Sequence, residues 1–158
     1  MASSNSTPGE SARATRTAVP TADQILVATD AGRALRVFIV EDSPAVRDRL
    51  IDFLEDPGRV EMIGYAETQA DAVRQLISER VDVAIVDLNL KQGTGLGVIE
   101  TVRALHPSPQ PVIVVLTNYA VPAFEAAARA VGADHFFDKS SEFGRVKVLL
   151  ESMQPPRH

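Results

Sequence analysis

Val81-Asp82-Val83-Ala84-Ile85-Val86-Asp87 is an almost unbroken apolar run closed by a carboxylate. It lacks the alternation of a half-exposed strand and reads as a strand buried on both faces, as happens when helices cover a parallel sheet from two sides. It should be the central strand. Asp87 follows it at once, where the chain turns into a loop, so its carboxylate stands at a sheet edge. Alone this is a weak sign, because Asp favours turns and helix caps for local hydrogen-bonding reasons.

Three further apolar runs end in the same way. Arg36–Val40 precedes Glu41 and Asp42, Val112–Leu116 precedes Thr117, and His135–Asp138 precedes Lys139. In a parallel sheet all strands point one way, so residues at their carboxyl ends converge on one rim, where ligands of open sheets bind.

The segments between these runs carry helical signals. Ser43 offers a cap and Pro44 suits the first helical position; Val46, Leu50, Phe53 and Leu54 then form a stripe that Asp56-Pro57-Gly58 stops. Val60–Tyr65 reads as the second strand. Thr68–Arg80 reads as a helix with Ala72, Val73, Leu76 and Ile77 inward. The loop Leu88–Thr94 leads to a helix over Gly95–Leu105, ended by His106-Pro107-Ser108-Pro109. An Ala-rich helix spans Val121–Val131 with Gly132 as its cap, and a short fifth strand, His135–Phe137, precedes a helix over Ser141–Met153. Five alternating strand and helix pairs predict an α/β fold with a doubly wound five-stranded parallel sheet in the flavodoxin-like order 2-1-3-4-5. That order makes Asp42 and Asp87 neighbours.

Composition agrees with one folded domain. The chain has 158 residues, 45% of them hydrophobic, and a net charge of -5. The acidic balance supplies no bulk attraction to nucleic acid, so no nucleic-acid partner is expected. There is no cysteine, which excludes disulfides and thiol catalysis, and His106, His135 and His158 lack metal-ligand spacing. No apolar stretch approaches the ~18 residues of a membrane span, and the amino terminus lacks the apolar core of a secretion signal. A cytoplasmic protein without membrane contact is expected. Of the first 24 residues 16 are Ala, Ser, Thr, Pro or Gly, too polar and too entropic to form a core. The expected division is a flexible tail over 1–34, the folded domain over 35–153 and a short tail over 154–158.

Glu41-Asp42, Asp87, Thr117 and Lys139, in this order and spacing, resemble the signature of response-regulator receiver domains of two-component signalling. Val86-Asp87-Leu88-Asn89-Leu90 and Gly132-Ala133-Asp134 with Phe136 add to the likeness, which covers Leu35 to Met153. The resemblance implies that Asp87 accepts a phosphoryl group from a histidine kinase or phosphotransfer protein. It implies Mg²⁺ held by Glu41, Asp42, Asp87 and the main-chain carbonyl of Asn89, since this ion prefers hard oxygen ligands. Lys139 would meet the phosphoryl oxygens as a point charge. Thr117 and Phe136 would act as the switch, the ring swinging inward, and Asn89 and Tyr119 would tune the lifetime by flanking the path of hydrolytic water. Ser140 departs from the Pro that often follows this Lys, and Lys91 stands where many relatives carry Pro. Gly93-Thr94-Gly95-Leu96-Gly97 has neither dinucleotide nor P-loop spacing and reads as a plain loop leading into a helix.

With only Gln154 to His158 after the last helix, a stand-alone switch is expected to act by contact on a downstream protein, through the face of the fourth helix, fifth strand and fifth helix, or by forming a homodimer there. Val148 and Leu149 are expected partly outside the core. Two other classes compete: a phosphorylation-independent interaction module on the same scaffold, and an aspartate-nucleophile phosphatase. The latter typically has a second Asp two residues after the nucleophile, where this chain has Asn89.

Overall fold

The computed structural model describes residues 33–154. The tails expected over 1–34 and 154–158 lie outside the described residues, except Arg33, Ala34 and Gln154. The elements are β1 (Leu35–Val40), α1 (Pro44–Leu54), β2 (Val60–Ala66), α2 (Gln69–Ser78), β3 (Val83–Val86), α3 (Gly95–Leu105), β4 (Val112–Thr117), α4 (Pro122–Ala130), β5 (His135–Asp138) and α5 (Phe143–Ser152). The sheet order is β2-β1-β3-β4-β5, all pairs parallel. This is the doubly wound arrangement that the alternation predicts, with β3 at its centre.

Alternation along each strand builds two cores. Phe38, Val40, Ala84, Val86, Ile113, Val115 and Phe136 point toward Ala72 and Leu76 of α2, Val98, Ile99 and Val102 of α3, and Ala128 of α4. Val37, Ile39, Val83, Ile85, Val114 and Leu116 point the other way, toward Leu50 and Leu54 of α1 and Val146 and Leu150 of α5. Each of the Val, Leu, Ile and Phe side chains among them, removed from water, contributes roughly 1.5–3 kcal/mol. All four β3 residues are buried, which is why that strand reads as a continuous apolar run.

Several boundaries differ from the sequence reading, each for a local reason. β3 starts at Val83 because the Asp82 carboxylate turns to accept from the Arg36 N–H at 2.8 Å. β4 and β5 each run one residue further, since Thr117 pairs with Asp138 in the ladder. α2 starts after Thr68, whose hydroxyl caps it by accepting from the Asp71 N–H at 3.2 Å. Phe53 is 38% exposed rather than part of the inward stripe, because its ring leaves the core to pack on Phe143 at 5.4 Å. Leu149 packs against the α1–α5 core and only Val148 is left outside, 65% exposed. No helix among the described residues is long and apolar enough to cross a membrane.

Candidate functional site

The ladders continue one residue past the strand ends and so fix the backbone of the rim. Glu41 N–H donates to Ala66 O at 3.0 Å, Asp87 N–H to Val40 O at 3.0 Å, and Lys139 N–H to Thr117 O at 2.8 Å. Three loops thereby hold their first side chains at set points over the sheet edge.

Lys139 Nζ lies 2.7 Å from Glu41 Oε1 and 2.9 Å from Asp87 Oδ2. Glu41 and Asp87 are buried, and Asp42 beside them is half-buried. The ligand oxygens of Glu41, Asp42 and Asp87 all lie within 4.8 Å of one another. Burial, the largest influence, lifts the Glu41 carboxyl above its ordinary range and outweighs the opposing bond and charge of Lys139. Burial also works most strongly on Lys139, against its charge, but its bonds to Glu41 and Asp87 together prevail and hold its pKa above the ordinary value. Three carboxylates thus face one ammonium, an excess of hard oxygen donors that suits a divalent cation of the Mg²⁺ kind.

The rest of the rim supports Asp87. Its Oδ1 accepts from the Asn89 N–H at 3.3 Å, and the start of α3 lies directly against its backbone. A Cβ on Gly95 would fall 2.2 Å from the Asp87 carbonyl oxygen, so only glycine permits this approach. The segment read as a loop leading into a helix does run so, and its helix entry is in addition shaped around Asp87. Thr117 is buried, and its Oγ1 accepts from the Tyr119 N–H at 3.1 Å. Phe136 is buried in the α2–α3–α4 core, so the ring expected to swing inward already lies inside in this structure. Asn89 and Tyr119 border a groove of about 340 Å³ together with Leu88, Thr94, Leu96 and Phe124. The Tyr119 ring, 49% exposed, stands edge-on to Phe124.

Ser140, where relatives often have Pro, uses its N–H and its hydroxyl, both donated to Asp138 Oδ1 at 2.8 and 2.6 Å. The bend after Lys139 is made by these bonds. Proline could supply neither.

Two rim residues escape the strand-end reading, Arg47 and Glu67. Arg47 is buried on the inner face of α1, with Nη1 3.0 Å from Glu67 Oε2, while Lys91 Nζ lies 2.9 Å from Glu67 Oε1. The available signal was the spacing of Arg47 with Leu50 and Leu54, which puts a cation at a core position and demands a carboxylate partner.

A doubly wound parallel sheet with a carboxylate crevice at its carboxyl rim, faced by a lysine just after the last strand, defines a class of α/β domain that binds its ligand at the topological switch point. Comparison with known proteins places the chain within it. The response regulator receiver domain family matches residues 37–151. The chain belongs to this family, whose members receive phosphoryl signals in two-component systems. It is 38% identical over 126 residues to the photosynthetic apparatus regulatory protein RegA of Rhodovulum sulfidophilum, covering 76% of this chain and 66% of that protein. It is 33% identical over 129 residues to the transcriptional regulatory protein BtsR of Escherichia coli, covering 78% of this chain and 49% of that one. The chain thus spans from about half to two thirds of the length of these two relatives. Among solved structures, the signal receiver domain of the response regulator NarL from Mycobacterium tuberculosis shares the fold with a TM-score of 0.68 at 24% identity, covering 77% of this chain and 96% of that one.

Proposed function

We propose that Asp87 is the phosphoacceptor of this domain and that a phosphohistidine on a histidine kinase or phosphotransfer protein is the donor. The observation that carries the reading is the Asp87 carboxylate held between Lys139 Nζ at 2.9 Å and the acidic pair Glu41 and Asp42. An Asp87 oxygen forms a bond to phosphorus as the phosphorus–nitrogen bond of the donor breaks. The imidazole leaves neutral, with a proton on its other nitrogen, and Asp87 becomes an acyl phosphate.

Positioning and charge do most of the work in such a transfer. Glu41, Asp42, Asp87 and the Asn89 carbonyl would hold Mg²⁺, which would offset the repulsion among the carboxylates and the charge on the phosphoryl oxygens. Lys139 exchanges a carboxylate partner for a phosphoryl oxygen. Thr117 turns its hydroxyl from the Tyr119 N–H to donate to another. With Phe136 filling the space behind it, this local change alters the surface around α4, β5 and α5, through which the domain regulates a downstream protein or pairs with a second copy. Val148, exposed on α5, supports a contact there. The domain is an acceptor rather than an enzyme, and Asn89 and Tyr119 set how fast water removes the phosphoryl group.

Incubation with acetyl phosphate and Mg²⁺ tests the reading by intact mass. Wild type should gain one phosphoryl group and Asp87→Ala none. An unmodified wild type would instead favour a phosphorylation-independent interaction module.

A further inference from the structure

Three loops meet beside the acidic crevice without touching its centre. Glu67 follows β2 and its carboxylate is shared between two cations, one on the first turn of α1 after the Glu41–Asp42 loop and one on the loop after β3. Oε2 takes the guanidinium of Arg47 at 3.0 Å and Oε1 the ammonium of Lys91 at 2.9 Å. The same Arg47 Nη1 also points at the Glu41 main-chain carbonyl at 3.4 Å, and the guanidinium lies 3.8 Å over the Tyr65 ring. Lys91 stands two residues after Asn89. Further bonds run along the same seam: Gln69 N–H donates to the Gln92 carbonyl at 2.9 Å, and Thr94 N–H donates to the Gln69 side-chain Oε1 at 3.0 Å.

We propose that Glu67 is a positioning residue for the crevice. Through Arg47 it fixes the Glu41–Asp42 loop, and through Lys91 it fixes the loop carrying Asn89, so that the cation ligands are held in register before the ion arrives. The inference rests on the cation reading given above. The two arms differ in strength. Arg47 is buried, its side chain 10% exposed, and would be left an unpaired buried charge without Glu67. The Lys91 side chain is 58% exposed and its bond is screened by salt. Glu67 is held in its charged form, below the ordinary range, first by the bond from Lys91 and then by that from Arg47.

A purely electrostatic role makes a different forecast, which permits a decision. Glu67→Gln removes a negative charge near the crevice, Lys91→Gln removes a positive one, and the double variant restores the balance with the strap still broken. Mn²⁺ serves as the probe, its binding to the full chain read from the loss of the free aquo-ion signal in electron paramagnetic resonance. With a positioning role, Glu67→Gln weakens binding about tenfold, in the range for residues that orient ligands. Lys91→Gln weakens it less, and the double variant is no better than Glu67→Gln. A Glu125→Gln control, which breaks the distant Glu125–Arg129 pair on α4, stays at the wild-type value. Tighter binding by Lys91→Gln with a double variant near wild type would overturn the proposal in favour of charge alone. Equal binding by all variants would overturn it as well, leaving the cation reading intact. A wild-type chain that binds no Mn²⁺ would remove both. Thermal melts check that each variant is folded, and the exposed Lys91→Gln keeps the test decisive should Glu67→Gln unfold.

Discussion

The two ends of the sheet use the same residue type to opposite effect. At the amino end, Asp82 accepts from the Arg36 N–H at 2.8 Å and from Arg80 at 3.0 Å, clipping β1 to β3. Asp134 accepts from the Ile113 N–H at 2.8 Å and from Arg103 at 2.8 Å, clipping β4 to β5. Each carboxylate there has its own arginine and a backbone donor. At the carboxyl end Glu41 and Asp87 share the ammonium of Lys139, and the Asp42 carboxylate stands close beside them. Charge that is balanced residue by residue closes a fold. Charge left in excess and partly buried marks a place where something else is to bind.

The widest separation between the ends comes from neutralising one carboxylate at each. Asp87→Asn should abolish phosphorylation by acetyl phosphate, read by intact mass. It should leave the thermal midpoint equal to wild type or higher, because an amide relieves the crowding of like charges and strain at functional sites is commonly held at a cost in stability. A large fall in the midpoint would place Asp87 among the structural carboxylates after all.

Cation binding sharpens the contrast next. An ion that binds only the folded chain stabilises it by roughly 2.7 kcal/mol at a hundred times its dissociation constant. Mg²⁺ should therefore raise the urea midpoint of wild type, and chelation should reverse the gain. The gain should vanish in Asp42→Asn and persist in Asp134→Ala.

Asp134→Ala should in turn cost about 1–3 kcal/mol, since it strands the Ile113 N–H and takes the carboxylate, one of several partners, from Arg103. Urea denaturation measures the loss, and acetyl phosphate should still modify Asp87 in the folded variant. If Asp134→Ala lost phosphorylation without losing stability, the division between the two ends would fail.

The fold was legible because its signals are backbone-wide. An all-apolar β3, the cap at Ser43, and breaks at Pro57-Gly58 and Pro107 each report a local rule that the tertiary structure did not override. The strand-end residues were legible for a topological reason, since parallel strands must bring Glu41, Asp87, Thr117 and Lys139 to one rim. What the sequence hid depends on side-chain direction. Nothing local says that Arg47 and Lys91 converge on Glu67, because the three sit on a helix and two separate loops whose spacing exists only once the sheet is wound. The need for Gly95 was hidden likewise, being set by the backbone of Asp87 eight residues earlier. Phe53 misled the helical reading because an aromatic ring can satisfy its surface against Phe143 outside the core.

The smallest effect lies at the edge between the two behaviours. Asp138 is at the carboxyl end, yet it is balanced like the amino-end carboxylates, by donors from Ser140 and Ser141 rather than by arginine. These bonds, the Ser140 hydroxyl first, hold its carboxyl below the ordinary 3.8. A group whose pKa is depressed by folding stabilises the folded chain in full above its unfolded value and loses that contribution as pH falls through the folded value. Asp138→Ala should therefore melt slightly below wild type at neutral pH, and the two midpoints should draw together as the pH falls from 3.8 through the lower folded value. A gap that persisted in acid would mean that Asp138 acts through packing rather than through its charge. The bend after Lys139 would then owe nothing to the ionised carboxylate, and Lys139 itself would hold its place in the crevice by its backbone bond to Thr117 and its ion pairs with Glu41 and Asp87.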